Sequence, residues 1–204
     1  MRILFAALAG ILFAAAPSFA ETPVDAQAQI QSTAQMLRQR CNGECLKAAQ
    51  DCRAGKEAAP EVCDTRAILC LVACPSCAGQ YPVCRKDQPE GGAGSQLSIM
   101  RCTAQVMECR AEARKKADTH GPITFSGGDG KTQASAVVIT GARNSPEGVV
   151  AELYWAWRKQ PELTKTGQAL LNRDGRRYDV IRNKLPDGSQ VDLYFDITDF
   201  FGKM

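Results

Sequence analysis

Ten regularly spaced cysteines are the feature that most constrains the fold of this 204-residue chain. All ten fall within residues 41–109, and the rest of the chain contains none. Six of them form two mirror-image sets, with gaps of 4 and 7 residues in the first and of 7 and 4 in the second: Cys41, Cys45 and Cys52, then Cys63, Cys70 and Cys74. Gaps of this size keep side chains on one face of an α-helix, so each set is predicted to line one helix face.

The residue numbers of the cysteines also predict how they pair. Residues that face each other across two antiparallel helices have numbers with a constant sum. Three pairs from the mirrored sets each sum to 115, and the other four cysteines form two pairs that each sum to 186. An even number of cysteines confined to one segment is typical of a disulfide framework in an oxidising compartment. We therefore predict five disulfides: Cys41–Cys74, Cys45–Cys70, Cys52–Cys63, Cys77–Cys109 and Cys84–Cys102.

The segment that carries the cysteines, residues 21–118, is predicted to be a helical module that depends on its disulfides. Tyr81 is its single aromatic residue. A segment so poor in large apolar side chains buries too little area to offset its chain entropy without cross-links. Many residues between the cysteines are good helix formers such as Ala, Gln and Arg. We predict helices over 24–54, 60–74 and 95–117, with Pro75 as a corner after the second.

The rest of the chain changes character and predicts a small α+β domain over residues 135–204. Strands alternate apolar and polar residues, and the helix begins with a cap and a first-turn proline. The predicted order is β-α-β-β-β, and residues 119–134 are predicted to be a linker with a glycine-rich turn. The predicted elements are a strand at 135–140, a helix at 145–160, and strands at 166–173, 176–184 and 189–196.

Further predictions for this domain concern its two hairpin turns and the buried face of its helix. Asp174-Gly175 and Asp187-Gly188 are typical of two-residue hairpin turns. Trp155 is predicted to lie partly exposed, on a different side of the helix from its apolar stripe. The stripe predicted to face the core consists of Val149, Val150, Leu153, Tyr154 and Trp157.

Three short strings within residues 121–204 resemble a small bacterial α+β domain family that has no established activity. They are Gly127-Gly128-Asp129-Gly130 before a strand, YDVI at 178–181 and YFDITDFFGK at 194–203. The resemblance implies a fold. It implies no catalytic residues, because that family has none assigned. The cysteine-rich module resembles no family.

The N-terminus has the pattern of a Sec-type signal peptide. A basic residue, Arg2, precedes an apolar run over residues 3–16, and small residues follow at Ser18 and Ala20. We predict cleavage after Ala20 and a periplasmic or secreted mature protein. No later segment is predicted to be apolar over enough residues to span a membrane.

Two other thiol chemistries compete with disulfide staples. The Cys74-Pro75-Ser76-Cys77 string has the spacing of thioredoxin-like oxidoreductases, but no β-α-β pattern surrounds it. Cysteines four residues apart, at 41 and 45 and at 70 and 74, place two thiols on one helix face, as a Cu(I) or Zn site needs. Exported helical copper-storage proteins are similar in this respect, although they repeat such pairs and this chain does not.

The remaining candidate sites have weak patterns. The single histidine, His120, lies in the predicted linker, and Gly128-Asp129-Gly130-Lys131-Thr132 has Phe125 where a phosphate-binding loop needs glycine. Asp192, Asp196 and Asp199 lie near Tyr194 on the solvated side of a predicted strand.

Composition excludes some partners but identifies no reaction. With 25 Lys and Arg against 22 Asp and Glu, the charge is too balanced to favour nucleic acid. No catalytic, metal-binding or cofactor-binding residue is predicted. The sequence therefore favours an exported non-enzymatic protein that binds a protein or a small ligand.

Overall fold

The computed structural model describes residues 23–55, 58–88 and 92–204, so the predicted signal peptide lies outside the described residues. Three helices come first, and a five-stranded sheet with one further helix follows. This confirms the predicted class, an α-helical module followed by an α+β domain. The elements are α1 (Pro23–Gly55), α2 (Pro60–Arg85), α3 (Gly92–Asp118), β1 (Thr124–Gly127), β2 (Val137–Thr140), α4 (Ser145–Lys159), β3 (Thr164–Arg173), β4 (Arg176–Lys184) and β5 (Gln190–Asp196).

The helix α2 is longer than predicted, because it continues through Pro75 and Pro82 to Arg85. The prediction that Pro75 forms a corner is therefore wrong. A proline inside a helix removes one backbone hydrogen bond and costs about 3 kcal/mol. Packing offsets that cost here, since α2 lies between α1 and α3 and is cross-linked to both.

Five disulfides hold the three helices together, with Cα–Cα distances from 5.6 to 5.8 Å. All ten cysteines lie within the described residues, and none of them is free. Three bridges join α1 to α2 and two join α2 to α3, so the arrangement extends beyond a single helical hairpin. The pairs are those that the two constant sums predict: Cys41–Cys74, Cys45–Cys70, Cys52–Cys63, Cys77–Cys109 and Cys84–Cys102.

The five-stranded sheet has the strand order β1-β2-β5-β4-β3. Its edge strand β1 lies within residues 119–134, so part of the predicted linker belongs to the sheet. β1 pairs antiparallel with β2, opposing Phe125 to Ile139. The glycine run then makes the turn after β1. Gly127 has a φ of 84°, and a Cβ at that position would overlap the Ala136 carbonyl oxygen.

The two hairpin turns differ from each other. Asp174 and Gly175 both have positive φ, at 51° and 74°, as a two-residue turn of the predicted kind requires. The second loop spans residues 185–189, because β4 ends at Lys184 and β5 begins at Gln190. Its Asp187 side chain accepts a hydrogen bond from the backbone N–H of Ser189, at 2.9 Å. The prediction of a two-residue turn at Asp187-Gly188 is therefore wrong.

The buried face of α4 agrees only in part with the predicted one. Tyr154 is buried, and Val150 and Trp157 pack against the core, as predicted. Trp155 is buried against Phe195 of β5, with ring centroids 5.7 Å apart in an edge-to-face arrangement. Val149 and Leu153, which were predicted to face the core, are exposed. Six residues of α4 are buried, and four of them follow a spacing of 3, 4 and 7 residues. These four are Gly148, Ala151, Glu152 and Trp155, and the other two are Glu147 and Tyr154.

The helical module and the sheet share one hydrophobic core. Ala67 and Ile68 of α2 belong to the same buried cluster as Tyr154 and Trp155 of α4. Asp64 of α2 is buried at the centre of this contact. We call the hydrogen-bonded group around it the junction, and it consists of Asp64, Arg53, Tyr154 and Arg158.

One helix in the described part of the chain, α2, is long and apolar enough by composition to cross a membrane. The prediction that no segment after the signal peptide reaches that level is therefore wrong. Its apolar composition has another use in this fold, because α2 is the central helix of the module. Mostly buried core helices and signal sequences meet the same criterion, and 33% of the apolar window of α2 is buried here.

Candidate functional site

A pair of buried acidic residues lies between α4 and the sheet. Glu152 of α4 is 1% exposed and Asp179 of β4 is 4% exposed. Glu152 is carried inward because it lies on the buried face of α4, between Gly148 and Trp155. The sequence pattern did not predict either buried acid, because the larger apolar side chains of α4 predicted a core stripe that leaves Glu152 out. The available signal was the spacing of the small residues Gly148 and Ala151, which marks a helix face in close contact with its neighbour.

The pair has fewer hydrogen-bond donors than acceptors. Asp179 Oδ2 accepts a hydrogen bond from the side-chain amide of Gln168, whose own oxygen accepts one from Lys165 Nζ at 2.6 Å. Asp179 Oδ1 and both carboxyl oxygens of Glu152 have no donor among the described residues. Three buried oxygens of this pair are therefore without a partner, which is uncommon because each such group costs free energy.

The protonation of Glu152 follows from this environment. Burial and the negative charge of Asp179 raise the pKa of Glu152 to about 9, against an ordinary value of 4.5. The positive charge of Lys165 opposes that rise. At neutral pH Glu152 is thus a neutral acid. Strongly perturbed acids of this kind are concentrated at functional sites.

The pair lines a cavity of about 360 Å³ that we call the acid cavity. Its other walls are mostly apolar, and three of the apolar side chains, Val149, Leu170 and Phe201, are more than a third exposed. The Phe200 ring, which forms part of the cavity wall, packs directly against Gly148, because a Cβ at that position would overlap the ring. The lining residues are Ser145, Val149, Glu152, Gln168, Ala169, Leu170, Asp179, Ile197, Phe200 and Phe201.

Replacing Glu152 by Gln is expected to change how stability depends on pH. In the wild type the folded protein holds a proton that the unfolded chain loses above pH 4.5, so stability falls as pH rises from about 4.5 towards 9. The slope in that window is on the order of 1 kcal/mol per pH unit. Glu152→Gln removes this pH dependence. The melting temperature of Glu152→Gln should therefore rise relative to that of the wild type as pH increases from 5 to 8.

Thermal melts of both proteins over this pH range test the prediction. Glu162→Gln is the matched control, because Glu162 is exposed. Parallel melting curves for wild type and Glu152→Gln at all pH values would contradict the raised pKa.

A second cluster consists of sulfur atoms. The sulfur atoms of Cys41, Cys45 and Cys74 lie within 4.8 Å of one another, and Cys45 Sγ is 3.6 Å from Cys74 Sγ. All three are buried and all three take part in disulfides. This sulfur cluster could supply thiolates to a soft metal only after the bridges Cys41–Cys74 and Cys45–Cys70 are reduced.

The Cys-x-x-Cys string does not form a local redox pair. Cys74 is bonded to Cys41 and Cys77 to Cys109, and both are almost completely buried. Both lie within α2, far from its first turn. Reactive cysteines of redox enzymes lie at a helix N-terminus, which lowers the thiol pKa, and they are partly exposed.

The histidine and the aspartates that the sequence offered as candidate site residues lie apart from the acid cavity. His120 Nε2 lies 3.1 Å from Glu147 Oε2, which fixes the histidine against the start of α4. Asp196 pairs with Arg176 at 3.0 Å, Asp199 accepts from the Gly141 N–H, and Asp192 is exposed, so these aspartates form no common site.

The glycine-rich turn also lacks the donors of a phosphate-binding loop. The backbone N–H groups of Gly128 and Gly130 donate to the carbonyl oxygens of Ala136 and Ser135. These donors are therefore engaged within the turn, as in an ordinary connection between two strands.

Comparisons with known proteins give no relative. No protein-family model, no curated protein and no solved structure matches the chain. The resemblance of residues 121–204 to a bacterial domain family gains no support from them.

Proposed function

We propose that this protein is an exported, non-enzymatic binding protein whose α+β domain takes a ligand in the acid cavity. The observation that carries the proposal is the pair of buried acids, Glu152 and Asp179, with three unpartnered oxygens on the wall of an apolar cavity. A fold gains no stability from this arrangement, because buried polar groups without partners are destabilising. A mostly apolar cavity with a few convergent polar groups is typical of ligand sites.

Binding is favoured over catalysis by what surrounds the two acids. The other polar side chains on the cavity wall are Ser145 and Gln168. The Ser145 hydroxyl donates to the backbone carbonyl oxygen of Lys203, so among the described residues it is not paired with a side-chain base that would activate it as a nucleophile.

Export is supported by the disulfides and by the N-terminal sequence. Five bridges fit an oxidising compartment, where thiols in this number become paired. The signal-like pattern of residues 1–20 agrees, and the proposed location is the periplasm of a Gram-negative-type cell or the medium. N-terminal sequencing of protein from the periplasmic fraction should begin at Glu21.

Thiol-based binding of Cu(I) or Zn is the second candidate function, because the sulfur cluster brings three cysteines within ligand distance. A thiol–disulfide oxidoreductase using Cys74 and Cys77 is the third. A free-thiol count with metal analysis on protein from the periplasm separates all three. We expect no free thiol and no stoichiometric metal. Ten reactive thiols with bound copper or zinc would favour the metal protein, and two at Cys74 and Cys77 would favour the oxidoreductase.

A ligand screen by thermal shift tests the proposed binding function. The library contains small amines, acids, sugars and short peptides, and the matched variant is Ala169→Phe, which fills the cavity. We expect at least one class to raise the melting temperature of the wild type and to leave that of Ala169→Phe unchanged. If no class distinguishes the two proteins, the acid cavity is not a ligand site.

A further inference from the structure

We propose that the acid cavity binds a primary ammonium group carried on an apolar chain, with Glu152 and Asp179 as its acceptors. This inference rests on the proposed binding function and names the chemical class of the ligand. The ammonium could belong to a small alkylamine or to a lysine side chain of a peptide. Both sources present the same group to the site.

The number of free acceptors matches a primary ammonium. Two oxygens of Glu152 and Oδ1 of Asp179 lack a donor among the described residues, and an ammonium has three N–H donors. Hydrogen bonds between an ammonium and carboxylates are charge-assisted and are stronger than neutral ones. An ammonium that takes all three oxygens would satisfy both acids at once.

Other cations fit the site less well. Calcium takes six to eight oxygen ligands and magnesium needs six in octahedral geometry. Besides the three free oxygens, the cavity wall offers the Gln168 amide oxygen, which already accepts from Lys165, and the Ser145 hydroxyl.

The remaining walls suit an alkyl chain. Leu170, Phe200 and Phe201 are among the apolar side chains that line the cavity between its acid wall and solvent. The three oxygens are fully covered in this structure, so an ammonium reaches them only when side chains at the mouth shift. Leu170, Val149 and Phe201 are the exposed large apolar side chains of the lining.

Binding of the ammonium must release a proton. The charged groups that act on Glu152 are Asp179 from β4 and Lys165 from β3, and Glu152 itself is neutral below about pH 9. An ammonium replaces the proton carried by Glu152, so that one proton leaves as one cation binds. By linkage, the dissociation constant should fall roughly tenfold for each pH unit between pH 6 and pH 8.

Calorimetric titration of the full mature protein with hexylamine tests the inference. We expect binding at pH 8 that is at least about tenfold tighter than that of hexanol or hexyltrimethylammonium, which lack the three donors. Titrations in buffers of different ionisation enthalpy should show release of about one proton per bound amine. Nα-acetyl-lysinamide identifies the source, since tighter binding than hexylamine indicates a peptide and weaker binding a small amine.

Substitutions of the two acids test whether hexylamine binds to them. Glu152→Gln should weaken hexylamine at least about tenfold at pH 8, whereas Glu162→Gln should leave it unchanged. If Glu152→Gln fails to fold, Asp179→Asn and the proton count on the wild type decide the question. Equal binding of hexanol and hexylamine, or no proton release, would overturn the inference. Binding of acids or sugars that Ala169→Phe abolishes would overturn it and leave the proposed function intact, whereas no cavity ligand would overturn both.

Discussion

Reduction of the five disulfides is expected to unfold the helical module under conditions in which the oxidised protein is fully helical. The module has few large core side chains, chiefly Ile68, Tyr81 and Val106, and its other buried apolar residues are alanines and cysteines. The shortest loop, between Cys52 and Cys63, contributes about 3 kcal/mol by chain entropy, and nested bridges do not add. Without the bridges the remaining core is too small to hold three helices.

Far-ultraviolet circular dichroism during heating, with and without a phosphine reductant, measures this effect. The oxidised protein should melt cooperatively at high temperature, and the reduced protein should lose most of its helical signal without heating. A reduced protein that keeps its helicity and its melting temperature would show that the disulfides are incidental to the fold.

Replacing Asp64 by Ala at the junction is expected to destabilise the protein by about 3–5 kcal/mol. The carboxylate is buried and accepts hydrogen bonds from Arg53 Nε at 2.7 Å, Tyr154 Oη at 2.7 Å and Arg158 at 2.9 Å. Its removal leaves two guanidinium groups and a hydroxyl without their acceptor. Burial and the bond to Asp64 raise the pKa of Tyr154 to about 12, so the hydroxyl stays a donor at ordinary pH.

Urea unfolding of the oxidised protein measures the loss. The matched control is Asp118→Ala, which removes an ion pair to Arg66 between side chains that are 59% and 51% exposed. An exposed pair contributes at most about 1 kcal/mol. If both variants lose the same small amount, the junction does not hold the two parts of the chain together.

The helical module could be predicted from the sequence to a large extent, because disulfides between helices translate directly into residue spacing. The spacing of the cysteines on α2 also indicated that this helix contacts a second neighbour, α3. At about 100° per residue, Cys77 and Cys84 point about 50° away from Cys63, Cys70 and Cys74 on one continuous helix. A central helix with two neighbours has this arrangement. The general rule that proline ends a helix led to the wrong boundary at Pro75.

The acid cavity could not be predicted, because its position depends on two contacts that are distant in sequence. The larger apolar residues of α4, including Val149 and Leu153, predicted one buried face. The close approach of the Phe200 ring to Gly148 selects a partly different face and brings Glu152 inward. The edge strand β1 was missed for a similar reason, since a four-residue strand is defined by its partner β2 and hardly by its own pattern.

Peptide mapping of the non-reduced protein is the most direct test of the account as a whole. It should find the bridges Cys41–Cys74, Cys45–Cys70 and Cys52–Cys63 between α1 and α2, and a Cys45→Ser variant should leave Cys70 as its free thiol. These three rungs share one interface and fix both the direction and the register of the two helices. A linkage within one helix, Cys41–Cys45 or Cys70–Cys74, would contradict the mirrored arrangement and the fold built on it.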